Sequence, residues 1–162
     1  MALRCTAGPL AKSMLIRGVG QASSLHSDAQ HHSLDAAITV LNDGSGISAA
    51  ASLPMVGRSA SASLEENCLA SMWLPWSATS EDLAILCASN VAFTICPAPD
   101  ENIAGWIAQV TAGLSAQLNR LGLASIDSLA RANLRACDQD TAAVSGLRLA
   151  GYDRPMPHWF AR

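Results

Sequence analysis

Between residues 103 and 121 large apolar side chains recur at intervals of three and four: Ile103, Ile107, Val110, Leu114, Leu118 and Leu121. At 3.6 residues per turn these positions share one face, so the spacing predicts a helix of about twenty residues opening near Asp100. Gly122 follows as a natural stop, because glycine enters the left-handed conformation that ends helices at little cost. A second helix is expected after it. Ser125 can cap its start, Ile126, Leu129, Ala130, Asn133 and Leu134 repeat at helical spacing, and Asp127 against Arg131 and Arg135 matches the helix dipole. Two helices joined by a short glycine-containing turn form an antiparallel pair. The expected fold is therefore mainly α, with α+β as the alternative: a helical hairpin over 100–136, a short strand pair and a flexible N-terminal arm.

The strand pair comes from two short segments. Residues 36–41, Ala-Ala-Ile-Thr-Val-Leu, run into Asn42-Asp43-Gly44-Ser45-Gly46, a strand ending in turn chemistry. Val91 to Cys96 reads as a second strand, stopped by Cys96-Pro97-Ala98-Pro99. Small and polar residues from Gly44 to Ala62 predict a loop. A helix is expected over 64–73, with Ser63 as its cap, Glu65 and Glu66 in its first turn and Pro75 beyond its end. Thr79-Ser80-Glu81-Asp82 opens another, running to about Ala88. The ending from Gly151 to Arg162 is expected to be extended, with Trp159 and Phe160 anchored on the body or on a partner.

Composition limits what these elements can bury. Half of the 162 residues are hydrophobic, but 30 of them are alanine, so the core is modest. No apolar run approaches the roughly 18 residues of a membrane-spanning helix. Residues 1–27 hold Arg4, Lys12 and Arg17 and no acid. That composition, rich in serine, fits a transit peptide as well as a flexible arm, and the two readings of residues 1–32 stay open. A transit peptide implies the mitochondrial matrix or another organelle; otherwise the cytoplasm is expected. Residues 33–162 then form a single small domain.

From residue 28 onward seven arginines face thirteen acids, and Lys12 is the sole lysine, which disfavours nucleic-acid binding. Cys5, Cys68, Cys87, Cys96 and Cys137 are odd in number and widely spaced, as free thiols in a reducing compartment are. With no CxxC pair, a zinc ribbon or thioredoxin-type motif is excluded.

Catalytic signatures are sparse. Gly18-Val19-Gly20-Gln21-Ala22-Ser23 echoes a dinucleotide fingerprint but is expected to lack the flanking strand and helix that such a loop needs. His26, His31 and His32 fall in a polar stretch without matching ligands, and His158 stands alone between prolines and aromatics. No GxSxG marks a serine nucleophile. Trp73 and Trp76, with Trp159 and Phe160, are the candidate interface anchors, since large aromatics dominate such contacts. Cys87 and Cys96, flanking a short apolar segment, are the candidate remnant of an iron–sulfur ligand set; buried thiols acting as small hydrophobes are the plainer reading.

The stretch from Leu121 to Ala136 (LGLASIDSLARANLRA), followed by Asp140 to Tyr152 (DTAAVSGLRLAGY), resembles the C-terminal tail of FMN-dependent glutamate-synthase-type proteins. In that family a cysteine-rich segment ending Cys-Pro precedes a long helix and then this tail, an order matched by Cys96-Pro97 and the helix from Asp100. The resemblance covers residues 83–154 at most. It implies relationship to an α/β-barrel oxidoreductase that uses FMN and an iron–sulfur cluster. Two features depart from the family: no cysteine lies between Cys87 and Cys96, and some eighty preceding residues cannot hold a whole barrel. The expected function is a non-catalytic interaction or assembly subunit with a protein partner or as a homo-oligomer, without a cofactor. The alternative is a fragment or divergent relative of the glutamate-synthase group.

Overall fold

Short segments rich in apolar and β-branched residues alternate with helical ones along most of the chain, and that alternation favours a parallel sheet with crossover helices. The computed structural model describes residues 14–41, 50–56, 69–99 and 102–152. Strand β1 is Met14–Gly18, helix α1 Ala22–His31, strand β2 Ala36–Val40, and helix α2 includes residues 50–56. Strand β3 is Leu69–Trp73, helix α3 Ser80–Ala88, strand β4 Phe93–Ile95, helix α4 Ile103–Leu121 and helix α5 Gln139–Ser145. The strands form one sheet in the order β1-β2-β3-β4, and every pairing is parallel.

This architecture is α/β and overturns the expected mainly α fold. Residues 14–31, expected in a flexible arm, supply an edge strand and its helix; Met14 pairs with Ala36 and Gly18 with Val40. The two expected strands are present as β2 and β4, but in a four-stranded sheet. The segment expected as a helix over 64–73 contains β3, flanked on both sides by strands; the central place in the sheet overrides its local pattern. Within the expected loop of 44–62, residues 50–56 are helical.

The expected helical hairpin over 100–136 does not form, because only its first helix is present. Helix α4 stands where the periodicity puts it, with Gly122 at φ 67° as its C-cap. Past it, two 3₁₀ turns, Ile126–Ser128 and Arg131–Asn133, replace the second helix, and Leu129 between them is extended. Polar side chains hold this path: Asn133 Oδ1 accepts from the Ala130 N–H at 2.9 Å. Arg131 reaches the Pro54 carbonyl at 2.6 Å and also donates to the Ser145 carbonyl, bonds that a helical Arg131 on α4's partner would not need.

The main core lies on one side of the sheet. Leu53 and Val56 of α2, Met72 and Leu74, and Leu86 of α3 pack together there, joined by Val19, Leu41 and Val91. Leu25 and Ala29 of α1 pack on Ala37 and Leu15 of the same sheet face. Helix α3 begins with a capping box in which Thr79 and Asp82 exchange bonds, as the sequence predicts. A smaller cluster, Ala136, Ala142, Leu147 and Leu149, closes the C-terminal part around α5.

Candidate functional site

Side chains along a strand alternate between faces, so the register divides the sheet into two sets. Leu15, Ala37, Ala70, Thr39, Met72 and Thr94 fall on the face that α1, α2 and α3 cover. The opposite face carries Met14, Ile16, Leu69, Trp73, Phe93 and Ile95, each between 36 and 49% exposed. At its centre Ala36, Ile38 and Ser71 are buried. One-sided covering follows from the topology. Right-handed crossovers between parallel strands that advance in one direction all fall on the same side of the sheet. The result is an apolar face with no helix of the described residues over it.

Trp73, expected as an interface anchor, lies on this open face at the C-terminal end of β3. Trp76 does not share it. Its indole N–H donates to Asp82 Oδ2 at 3.0 Å, and its ring packs on the main core, so it fixes the entry into α3. Trp159 and Phe160 lie outside the described residues. The sequence reading missed Met14, Ile16, Leu69, Phe93 and Ile95; alternation in β1 was the available signal, hidden by placing that segment in an arm.

The C-terminal ends of the strands are where open parallel sheets commonly bind ligands. There the Gly18-to-Ser23 loop does have a strand before it and a helix after it, correcting the expectation that both were missing. Its surroundings favour closure over phosphate. Arg17 pairs with Asp28 at 2.6 Å and donates to Ser24 Oγ, while Ser24 bonds back to the Gln21 carbonyl. At the start of α3 a cavity of about 260 Å³ is lined by Thr79, Ser80, Glu81 and Trp106 among others. Backbone and Ser80 hydrogen bonds hold the Glu81 carboxyl below its ordinary range, and that negative charge opposes an anionic ligand.

Cys87 and Cys96 are not brought into one site. Cys87 sits near the end of α3, at the end of the sheet where β4 starts, and lines a cavity of about 290 Å³ with Ser89, Asn90, Leu129 and Arg131. Cys96 follows the last residue of β4 and packs at the edge of the main core. Burial, with the Asp127 charge adding to it, pushes the Cys87 thiol up, which makes it a poor thiolate donor. Among the described residues no group of three or more His, Cys, Asp or Glu side chains is placed to hold a metal ion. The cysteines of the described residues, Cys87, Cys96 and Cys137, do not gather into an iron–sulfur ligand set; Cys5 and Cys68 lie outside those residues.

His26, expected on a solvated stretch, is instead fully buried in α1, and neither ring nitrogen has a hydrogen-bond partner among the described residues. Burial lowers its pKa to about 4, so the ring is neutral at pH 7. No helix among the described residues is long and apolar enough to cross a membrane.

What fold and surface define is a singly wound parallel α/β unit with one sheet face that no helix of the described residues covers. Comparison with known proteins adds no relative: no family model, no curated protein and no solved structure matches the chain.

Proposed function

We propose that this chain is a non-catalytic assembly module that binds a protein partner through the open face of its sheet. The observation that carries the reading is the set of half-exposed large apolar side chains, Met14, Ile16, Leu69, Trp73, Phe93 and Ile95, which ring the buried Ala36, Ile38 and Ser71 on the face opposite α1, α2 and α3. With on the order of 80 Å² exposed per side chain, the six present roughly 500 Å², at the upper end of what an unpartnered monomer leaves in water. At ~25 cal/mol per Å² that patch is worth about 12 kcal/mol of gross burial, enough to offset the cost of association.

The reading is tested in cells by a photo-crosslinking residue at Ile16 or Trp73, with exposed Asn119 of α4 as control. Covalent protein adducts at the two sheet positions and none at the control are expected. Absence of adducts at both sheet positions overturns the reading.

A second reading, a divergent relative of FMN-dependent glutamate-synthase-type oxidoreductases, is favoured by one observation. Parallel strands in sequential order with helices on one side are the winding of a (β/α) barrel wall. Its iron–sulfur component is opposed by the separation of Cys87 from Cys96. Flavin absorbance in natively purified protein would support this reading, and its absence would remove it.

A further inference from the structure

We propose that the cavity between the start of α3 and the first half of α4 binds a small organic ammonium ion, held between the Glu81 carboxylate and the indole of Trp106. The site is separate from the sheet face above and stands or falls independently of the partner reading.

The cavity is built by side chains of two helices. Gly113 lets α3 and α4 meet closely, since a Cβ there would lie 2.7 Å from Ser80 Cβ. Beside that contact Ser77, Thr79 and Glu81 from the entry to α3, with Trp106, Gln109 and Val110 of α4, line about 260 Å³. Roughly 150 Å³ already admits a six-carbon ring. The site lies past the C-terminal end of β3, the end at which open parallel sheets commonly take ligands.

The charge of the lining selects a cation. The Ser80 hydroxyl donates to Glu81 Oε2 at 3.1 Å and accepts from the Gln117 amide at 3.4 Å, a relay that orients the carboxylate. Hydrogen bonds from the Glu81 backbone N–H, foremost, and from Ser80 hold the carboxyl below its ordinary range, so it is ionised at pH 7. No lysine or arginine is among the lining residues. Asp82 is engaged elsewhere: its Oδ2 accepts from the Thr79 N–H and from the Trp76 indole, both at 3.0 Å. The partial positive charge at the start of α3 is about half a unit, less than the full charge of Glu81.

The shape and chemistry of the walls select an organic cation over a metal ion. A hard metal ion needs six or more oxygen ligands, and the lining offers a single carboxylate. Trp106 supplies what a metal ion cannot use. Its indole N–H donates to the Ala78 carbonyl at 3.1 Å, which fixes the ring as a wall of the cavity. Tryptophan is the side chain that attracts alkylated ammonium groups most strongly, through its ring quadrupole. Val110 and Ala78 add apolar contact for the methyl or methylene groups of such a ligand.

The test is a titration of the full chain with tetramethylammonium chloride, followed by NMR through the Trp106 indole N–H and the backbone amides of residues 77–81. Sodium chloride and the neutral, similarly shaped tert-butanol serve as references. A saturable shift is expected with tetramethylammonium alone, at a Kd on the order of 10 mM. Glu81→Gln, at an exposed position, should weaken binding by about 5-fold or more, and Trp106→Phe by about 2-fold or more. Asp140→Asn, an exposed acid in the first turn of α5, should leave it unchanged. Should Trp106→Phe fail to fold, Glu81→Gln decides. A response that never saturates, an equal response to sodium chloride or tert-butanol, or an unchanged Kd in Glu81→Gln overturns the inference.

Discussion

Protonating His26 should unfold this protein by degrees as the solution is acidified. The ring is fully buried in α1, and neither nitrogen has a partner among the described residues. In the unfolded chain it takes up a proton near 6.5, whereas in the folded chain it resists until about 4. Between those values the unfolded state binds more protons, so stability is full above 6.5, falls as pH drops through the window, and levels off below about 4. The gap corresponds to roughly 3 kcal/mol, a large share of the 5–15 kcal/mol that holds a domain together. In melting temperature it is on the order of 10 °C for a chain this size. The assay is urea unfolding of the wild type and His26→Leu at a series of pH values. The variant should lose the slope in that window and be more stable at neutral pH by about 1–3 kcal/mol, having removed two unpaired ring nitrogens. Parallel curves for the two proteins, or a ring titration near 6.5 by NMR, would refute the reasoning.

Three further outcomes follow from individual contacts. Thr79→Ala removes the acceptor for the Asp82 N–H, a 3.1 Å bond, and should cost about 1 kcal/mol in thermal melts, with Thr79→Ser restoring most of it. Gly113→Ala should destabilise although alanine favours helix, because its Cβ would lie 2.7 Å from Ser80 Cβ where α3 meets α4; the expected loss is about 1–3 kcal/mol, recovered in part by adding Ser80→Gly, and a rise in the denaturant midpoint would count against the close approach. Arg131→Met removes the guanidinium that joins α2 to the end of α5, and should cost about 2 kcal/mol with faster amide exchange over residues 139–145.

Much of the local structure was legible in the residues. The Thr79 cap, the α4 periodicity and the Gly122 stop all stand where their chemistry places them. The β2 and β4 strands were legible as well, from β-branched runs followed by turn residues or prolines. What misled was context. Strand β1 lies in the acid-free N-terminal stretch that reads as an arm, and β3 follows Ser63, Glu65 and Glu66, which read as the cap and first turn of a helix. Residues 126–136 went wrong because helical spacing persists there while the Asn133 side chain claims the Ala130 N–H that a helix would use, and the Ser125 and Ser128 hydroxyls bond each other.

The sequence alone determined where helices can begin and end, since caps, glycine stops and prolines act within a few residues of themselves. It also set the modest core, through its alanines. Tertiary structure alone decided that β1 to β4 lie side by side in order, and therefore which side chains share a sheet face and which face the described helices cover. Which face a strand residue occupies depends on register with strands twenty or more residues away, and on the handedness of the crossovers between them. Ile16 and Phe93 form one surface only because Ile38 and Ser71 stand between them in the same register row, a relation no local pattern records.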